Sequence, residues 1–514
     1  MHLKFYFLLL SSIIFLNEYC TATTLHKGTN YYFDANNGND NNNGLSANEA
    51  WKSLSKAKEL KLEAGDSILL CRESVFIDIL DITAQGTAGK RIVIDAYGKG
   101  KKPCITAPDN SLYTIRIWNS DYVTLQNLEV INTGMKRLAR RTGVKVQCEN
   151  YGVSHHIILN ALDIHDVNGS LIKHDGGGSG ILIQNKWSNN NPVSIFDSLT
   201  IENCAIRRCE RNGIIWSAPW SRKNWHLSTN TIVRKNLIEE VPGDGIVPIG
   251  CNGALVEYNL MRKCPALLPD GEAAAGIWPW SCDNTIIQFN EVSDHKAPWD
   301  GQGFDSDYNC TNTIIQYNYS HNNDGGFILI CNAGQGETNP KDNIGNKGSV
   351  IRHNISINDA VRQRKTRAGI FSPTIHISGP CKNTLIEYNI LYVGKKPSAQ
   401  VDRKIITSDS WGGYADSTTF RSNIFYALQP SVFNLTQSTN NSFEGNYYLG
   451  TFTDKPVDTQ GSTESVYYNS QVKKTSEDSI PLSFLFKEVE VGDGMAMMRA
   501  VKKETIQHFF KKMK

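Results

Sequence analysis

The chain has 514 residues, a length that suits two or three ordinary domains or one long repeat array. Its 53 Lys and Arg against 51 Asp and Glu leave a formal net charge of +2, so the basic stripe of a nucleic-acid-binding surface is missing. Ten Trp, 20 Tyr and 19 Phe supply ring surface for a core and for stacking against a ligand.

At the N-terminus, Lys4 is followed by the mostly apolar run Phe5 to Leu16, and Cys20-Thr21-Ala22 offers small residues where a signal peptidase reads. Residues 1–22 therefore read as a secretory signal, and the expectation is a secreted, periplasmic or cell-surface protein. The apolar run is shorter than the roughly 20 residues of a bilayer span, so no stable membrane insertion is expected. Removing Cys20 leaves 11 of the 12 Cys, an odd number that cannot pair completely within one chain.

From residue 120 onward the sequence repeats. Thr231-Ile-Val-Arg-Lys-Asn-Leu-Ile238, Thr285-Ile-Ile-Gln-Phe-Asn-Glu-Val292 and Thr384-Leu-Ile-Glu-Tyr-Asn-Ile-Leu391 share one frame, which places Asn203, Asn236, Asn259, Asn290, Asn318, Asn354, Asn389 and Asn423 in a single column. Gaps run from 23 residues (Asn236 to Asn259) to 36 (Asn318 to Asn354), about one coil each. Apolar and polar residues alternate, as in a half-buried strand. The Asn falls at a bend, where it tolerates a left-handed backbone, and stacked amides are placed to form an interior hydrogen-bonded ladder.

A second strand follows each Asn, among them Gly213 to Ser217, Gly245 to Ile249, Gly276 to Trp280, Gly303 to Asp307 and Gly326 to Ile330. Cys251, Cys282, Cys310, Cys331 and Cys381 follow these strands, and such a column reads as small buried side chains on neighbouring coils rather than as disulfides.

On these repeats the chain resembles the pectate-lyase-like right-handed parallel β-helix superfamily of carbohydrate-active proteins. A second match is Tyr31 to Asp40, Trp51 to Leu54 and Ala64 to Leu69, similar to the cap of many β-helical lyases and hydrolases. The resemblance implies an all-β solenoid with a short N-terminal capping helix, here Ala50 to Leu60. It divides the chain into a cap (23–80), a β-helix domain (81–450) and a C-terminal closing segment (451–514), with a basic amphipathic helix over Glu504 to Met513. Because the fold hosts lyases, hydrolases, esterases and adhesins, it does not fix the activity. The adjacent Asp-Asp pair and Gly-His-Gly of polygalacturonase-like hydrolases are absent, and no arginine-centred motif of pectate lyases is found.

Aligning the second strands on their glycine gives an inward column of Ile214, Ile246, Ile277, Phe304 and Phe327. One coil then turns Trp278 and Trp280 outward, and the next turns out Asp305 and Asp307. Aromatic platforms beside paired acids suit cleavage of a sugar polymer. Asp is disfavoured inside a strand, so Asp305 and Asp307 are the leading acid–base candidates. Their Cα separation of about 6.6–7 Å leans towards inverting chemistry. Asp244, Asp300 and Asp324 stand in reserve along one rim, although each precedes a glycine and serves equally as turn chemistry. Glu272 belongs to the same rim, and Trp299 and His321 complete the expected substrate contacts. The histidines lack metal-ligand spacing, so no metal site is expected.

Three functions fit this pattern. The first is a glycoside hydrolase needing no cofactor. The second is a polysaccharide lyase, in which clustered acids hold Ca²⁺ and the basic run Arg362 to Arg367 supplies a base. The third is a carbohydrate-binding solenoid without catalysis. All three have a polysaccharide or oligosaccharide as partner.

Overall fold

A computed structural model describes residues 27–334, 342–367, 369–395, 401–463, 486–492 and 496–504. The expected signal lies outside the described residues. Among these residues, no helix is long and apolar enough to cross a membrane.

Three parallel sheets run the length of a solenoid. The first has 15 strands, from Asn30–Phe33 to Ser442–Glu444, and the second has 13, from Val75–Ile77 to Tyr447–Leu449. The third comprises two six-stranded halves, joined by bridges from Ile277 to Ile246 and to Phe304. Period-two alternation sets which side chains turn inward. Val233, Val256, Ile287, Ile315, Ile351, Ile386 and Phe420 pair in register from coil to coil, and all are fully buried.

The ladder begins at Asn30, which pairs with Ser67, inside the stretch expected as cap. In place of a capping helix over Ala50 to Leu60 there are two 3₁₀ turns, Ala47–Glu49 and Leu54–Glu59. The Lys52 and Ser53 N–H groups both donate to Asp40 Oδ1 at 2.9 Å, and Ser53 and Leu60 are extended. Six residues between fixed ends are too few to offset α-helix nucleation. Leu54 and Ala57 still reach the core.

The asparagine ladder is present with two corrections. It runs Asn236, Asn259, Asn290, Asn318, Asn354, Asn389, Asn423 and Asn446, each Nδ2 donating to the next Oδ1 at 2.9–3.0 Å. Asn203 is one residue out of frame: Cys204 holds the ladder position, and its N–H donates to Asn236 Oδ1. The left-handed residue is also not the ladder Asn but the one before it: Lys235, Tyr258, Phe289, Tyr317, His353, Tyr388 and Ser422 have φ of 49–56°. Outside the solenoid their rings form a pile, with centroids 5.1–5.3 Å apart from Tyr258 through Phe289, Tyr317 and His353 to Tyr388.

The cysteines described are all unpaired. Cys251, Cys282 and Cys310 stack, the Cys251 and Cys282 N–H groups donating to the next sulfur at 3.3 and 3.5 Å. Cys331 leaves this column. Asn346 pairs with Cys381 in its place.

In segment 451–514, Phe486–Val491 and Ala496–Val501 form an antiparallel hairpin. It lies along the outer face of the second sheet and not across the solenoid end. Val491, Ala496 and Met498 cover Ala205, Leu237 and Leu260, while Phe486 and Val501 pack with Tyr319, Ile355, Ile390 and Ile424. Of the expected terminal helix, residues 505–513 lie outside the described residues.

Candidate active site

Strand pairing in the third sheet gives the register directly. Ile214, Ile246, Ile277 and Phe304 form the inward column, but the next member is Ile328 and not Phe327. Gln302, not Gly303, stands opposite Gly326, so alignment on glycine slips by one residue there. Such a slip exchanges the two faces of a strand. The outward row beside Asp305 is therefore Leu329, His376 and Thr407, and the next row carries Cys331, Ser378 and Asp409.

These rows floor a cavity of about 1030 Å³. Trp278, Trp280, Trp299, Asp300 and Asp307 all line it, together with Trp220, Tyr308 and Trp411. Trp220 and Trp280 lie parallel with centroids 6.0 Å apart, and Tyr308 meets both edge-on at 5.9 and 6.1 Å. Trp278 donates from Nε1 to Asp244 Oδ1 at 3.1 Å, and Lys173 Nζ sits 5.3 Å from its ring centre.

Asp300 follows Trp299 on a short strand paired with Ala273–Ala274, and its φ is 58°. This left-handed backbone re-aims the chain before Gly301, so turn chemistry and a place in the site coincide at one residue. The buried Arg362 fixes the turn: Nη2 donates to the carbonyls of Asp300 and Ala297, and Nη1 to that of Phe371 at 3.0 Å. Burial and then the Asp307 charge push the Asp300 carboxyl up to about 6, while Lys173 and His376 oppose them. Burial raises Asp307 as well, against two donors that favour its ionised form. These are the Cys331 thiol, 2.8 Å from Oδ1, and the Tyr308 N–H.

Asp305 is 2% exposed and lies beneath the lining. Its Oδ1 has no hydrogen-bond partner. Burial, followed by the charges of Asp300, Asp307 and Asp244, holds this carboxyl well above the ordinary range. The separation argued for Asp305 and Asp307 thus does not describe the two acids that share the cavity.

The other expected residues are placed elsewhere. Asp244 is fully buried and ion-paired with Arg211. Burial works against its ionisation, but Arg211 and Lys173 outweigh it and keep the carboxyl below the usual range. Glu272 Oε2 accepts from Arg211 Nε at 3.3 Å and from the Lys173 N–H at 2.9 Å, fixing the loop that carries Lys173. Asp324 pairs with Lys296 at 2.9 Å, away from the lining. His321 is on the second sheet, bonded to Glu291 at 3.0 Å and stacked on Tyr319. Among the described residues, no three His, Cys, Asp or Glu side chains are grouped as a metal site.

With this geometry in place, the comparisons with known proteins are specific. The family described as right handed beta helix region matches residues 113–281. The native crystal structure of the GH136 lacto-N-biosidase from Eubacterium ramulus superposes with a TM-score of 0.60 at 26% identity, over 74% of this chain and 65% of that one. The chain is a right-handed parallel β-helix. Over 87% of its length, this β-helix is also 27% identical to the lacto-N-biosidase of Bifidobacterium longum subsp. longum. It spans about a third of that protein, 32% of its length.

Sequence reasoning missed several lining residues of the β-helix. His376 and Asp409 stand on successive coils, joined at 3.0 Å from Nε2 to Oδ2. His376 was visible only as one of several scattered histidines, because its strand lies one long loop beyond the aligned repeats. Lys173 comes from an irregular loop and carries no periodic signal. Arg362 and Arg367 of the basic run both line the cavity, Arg362 with its Nη atoms donating to carbonyls.

Proposed function

We propose that this β-helix is a glycoside hydrolase that cleaves a complex glycan in the cavity beside Asp300 and Asp307, with lacto-N-biosidase-like action as the first activity to test. The observation that carries the reading is the pair of acids on one lining, opposite a wall of indole and phenol rings. Asp300, with its raised proton affinity, protonates the departing glycosidic oxygen. Asp307, raised by burial but accepting from Cys331 and Tyr308, supplies negative charge at the anomeric carbon or takes a proton from the attacking water. Trp220, Trp280 and Trp411 present faces for pyranose rings, each stacked contact contributing on the order of 1 kcal/mol. Asp244 and Glu272 act through Trp278 and Lys173, as positioning residues.

The likeness to two lacto-N-biosidases supports the hydrolase over the lyase. We also propose export through residues 1–22, on the strength of the apolar run and the small residues after it. The deciding experiment offers the purified protein a chromogenic lacto-N-bioside alongside plant, algal and host polysaccharides. Reducing ends and ultraviolet absorbance are followed with and without chelator. New reducing ends without absorbance, lost in Asp300→Asn and Asp307→Asn, are expected. Absorbance abolished by chelator would replace the hydrolase with a Ca²⁺-dependent lyase, and tight binding without any product would leave a non-catalytic solenoid.

A further inference from the structure

The outer face of the third sheet continues beyond the cavity towards the N-terminal coils. On Tyr113–Trp118 the side chains of Arg116 and Trp118 turn outward, and on Thr142–Glu149 those of Lys145 and Gln147 stand beside them in register. Asp81, one coil earlier, accepts from Arg116 Nε at 2.6 Å and from the Tyr113 hydroxyl at 3.3 Å. The Arg116 guanidinium is thereby held 4.9 Å from the centre of the Tyr113 ring and 5.0 Å from that of Trp118. Trp118 is braced by this contact and yet 37% exposed. A rigid, half-open indole on a sheet face is a ready platform for a sugar ring.

Charge gives the second observation. Both nearby carboxylates are engaged: Asp81 by Arg116, and Glu149 by Lys186 at 3.0 Å and by the Gln147 amide at 2.7 Å. Among the described residues, Lys145 has no carboxylate within 4 Å, although its side chain is partly buried. Arg116, Lys145 and Lys186 against Asp81 and Glu149 leave one positive charge uncompensated. Burial, then Arg116 and Lys186, lower the proton affinity of Lys145, and the charge of Glu149 offsets them only in part. Gln147, 7% exposed, keeps its Oε1 without a hydrogen-bond partner directly beside Trp118. A desolvated cation is unfavourable unless an anion meets it.

We propose that Trp118, Arg116, Lys145 and Gln147 form a second carbohydrate site, one that takes a sugar ring bearing an anionic substituent. The ring stacks on Trp118 and its carboxylate or sulfate pairs with Lys145. The column Trp118, Gln147, Gln184 and Ser217 leads along the sheet towards Ile249 and Trp280. Trp118 and Trp280 are thus five coils apart, about 24 Å at 4.8 Å per coil. The site is separate from the cavity and anchors one part of a glycan while another part is cleaved.

The test is calorimetric titration of the full chain carrying Asp300→Asn and Asp307→Asn, which removes cleavage from the measurement. The probes are a short homogalacturonan oligomer, its methyl-esterified counterpart and a sulfated galactan oligomer. Binding of a charged oligomer, weakened about tenfold or more by Lys145→Met and by Trp118→Ala, is expected. Preference for the carboxylated or the sulfated probe identifies the anion. Lys145→Gln, with an unchanged melting temperature, guards against a folding artefact. In the otherwise wild-type chain Lys145→Met should leave hydrolysis of a small chromogenic glycoside unchanged, so failure here is separable from failure of the hydrolase reading. No binding of either charged oligomer, equal binding of the methyl ester, or affinities unchanged in both variants would overturn the proposal.

Discussion

At the scale of residues, Asp300 and Asp307 are linked, because the Asp307 charge raises the proton affinity of Asp300. If Asp300 is the donor, activity falls as pH rises through about 6 and Asp300 loses its proton. Activity also falls at lower pH, as Asp307 is protonated, so kcat/KM against pH should be bell-shaped. Asp300→Asn should abolish the alkaline limb and lower the rate by about 10² or more. Cys331→Ala removes a donor to Asp307, so the acidic limb should move to higher pH, and Cys331→Ser should restore it. An unmoved limb would exclude the thiol from setting the charge of Asp307. Asp307 was legible in the sequence because an acid inside a strand breaks local preference. Asp300 was half-legible, since Asp-Gly is ordinary turn chemistry and only the fold shows which such turn opens into the cavity. The Cys331 contact was hidden by the one-residue slip at Gly326, where the apparent anchor glycine is not the structural equivalent of Gly303.

Elements place the larger energies. Asn290 donates to Val256 O, Gln288 O and Asn318 Oδ1 and accepts from the Asn259 N–H and Nδ2, all within 3.0 Å and fully buried. Asn290→Ala would strand several of these groups together, at a cost of about 3–5 kcal/mol, readable as a lowered denaturation midpoint. Asp359 ends a neighbouring polar row: its Oδ1 accepts from the Asn323 N–H and Nδ2, and Ser356 Oγ lies 2.7 Å from Oδ2. Burial pushes this carboxyl up to about 6 despite those donors. Because the folded value exceeds the unfolded one, the associated stability is complete at acid pH and is lost as pH rises from about 4 through 6. Asp359→Asn keeps the acceptor and removes the charge. It should flatten this slope and raise stability at pH 7 by roughly 2–3 kcal/mol, whereas an unchanged slope would place the titration elsewhere. The ladder itself was readable from the repeated frame. Its exact column was not, because Asn203 and Cys204 are adjacent and only pairing with Asn236 tells which one turns inward.

For the whole molecule, coils contact mainly their neighbours, so stability propagates along the axis as in other solenoids. The C-terminal hairpin departs from that rule. It touches Ala205 near one end of its track and Ile424 near the other, covering an apolar stripe that the repeats leave on the outside. Met498→Asp, aimed at this contact, should reduce cooperativity and increase binding of a hydrophobic dye, with little change in cleavage rate at low temperature. The solenoid was legible because its signal repeats many times, each coil correcting the reading of the others. The hairpin occurs once and pairs with nothing like itself, so sequence alone offered no register for it.

The external ring pile from Tyr258 to Tyr388 has an optical consequence. Its members are held at 5.1–5.3 Å and within about 11° of parallel, and His353 inside it stays uncharged, with burial and then Arg352 and Lys503 lowering it to about 4. The phenol and phenyl rings of Tyr258, Phe289 and Tyr317 so arranged share excitation, and they should give the folded chain a near-ultraviolet circular dichroism band of their own. Since neighbouring rings belong to different coils, that band reports the spacing of the stack. It would vanish when the coils part, even while each strand keeps its own extended backbone.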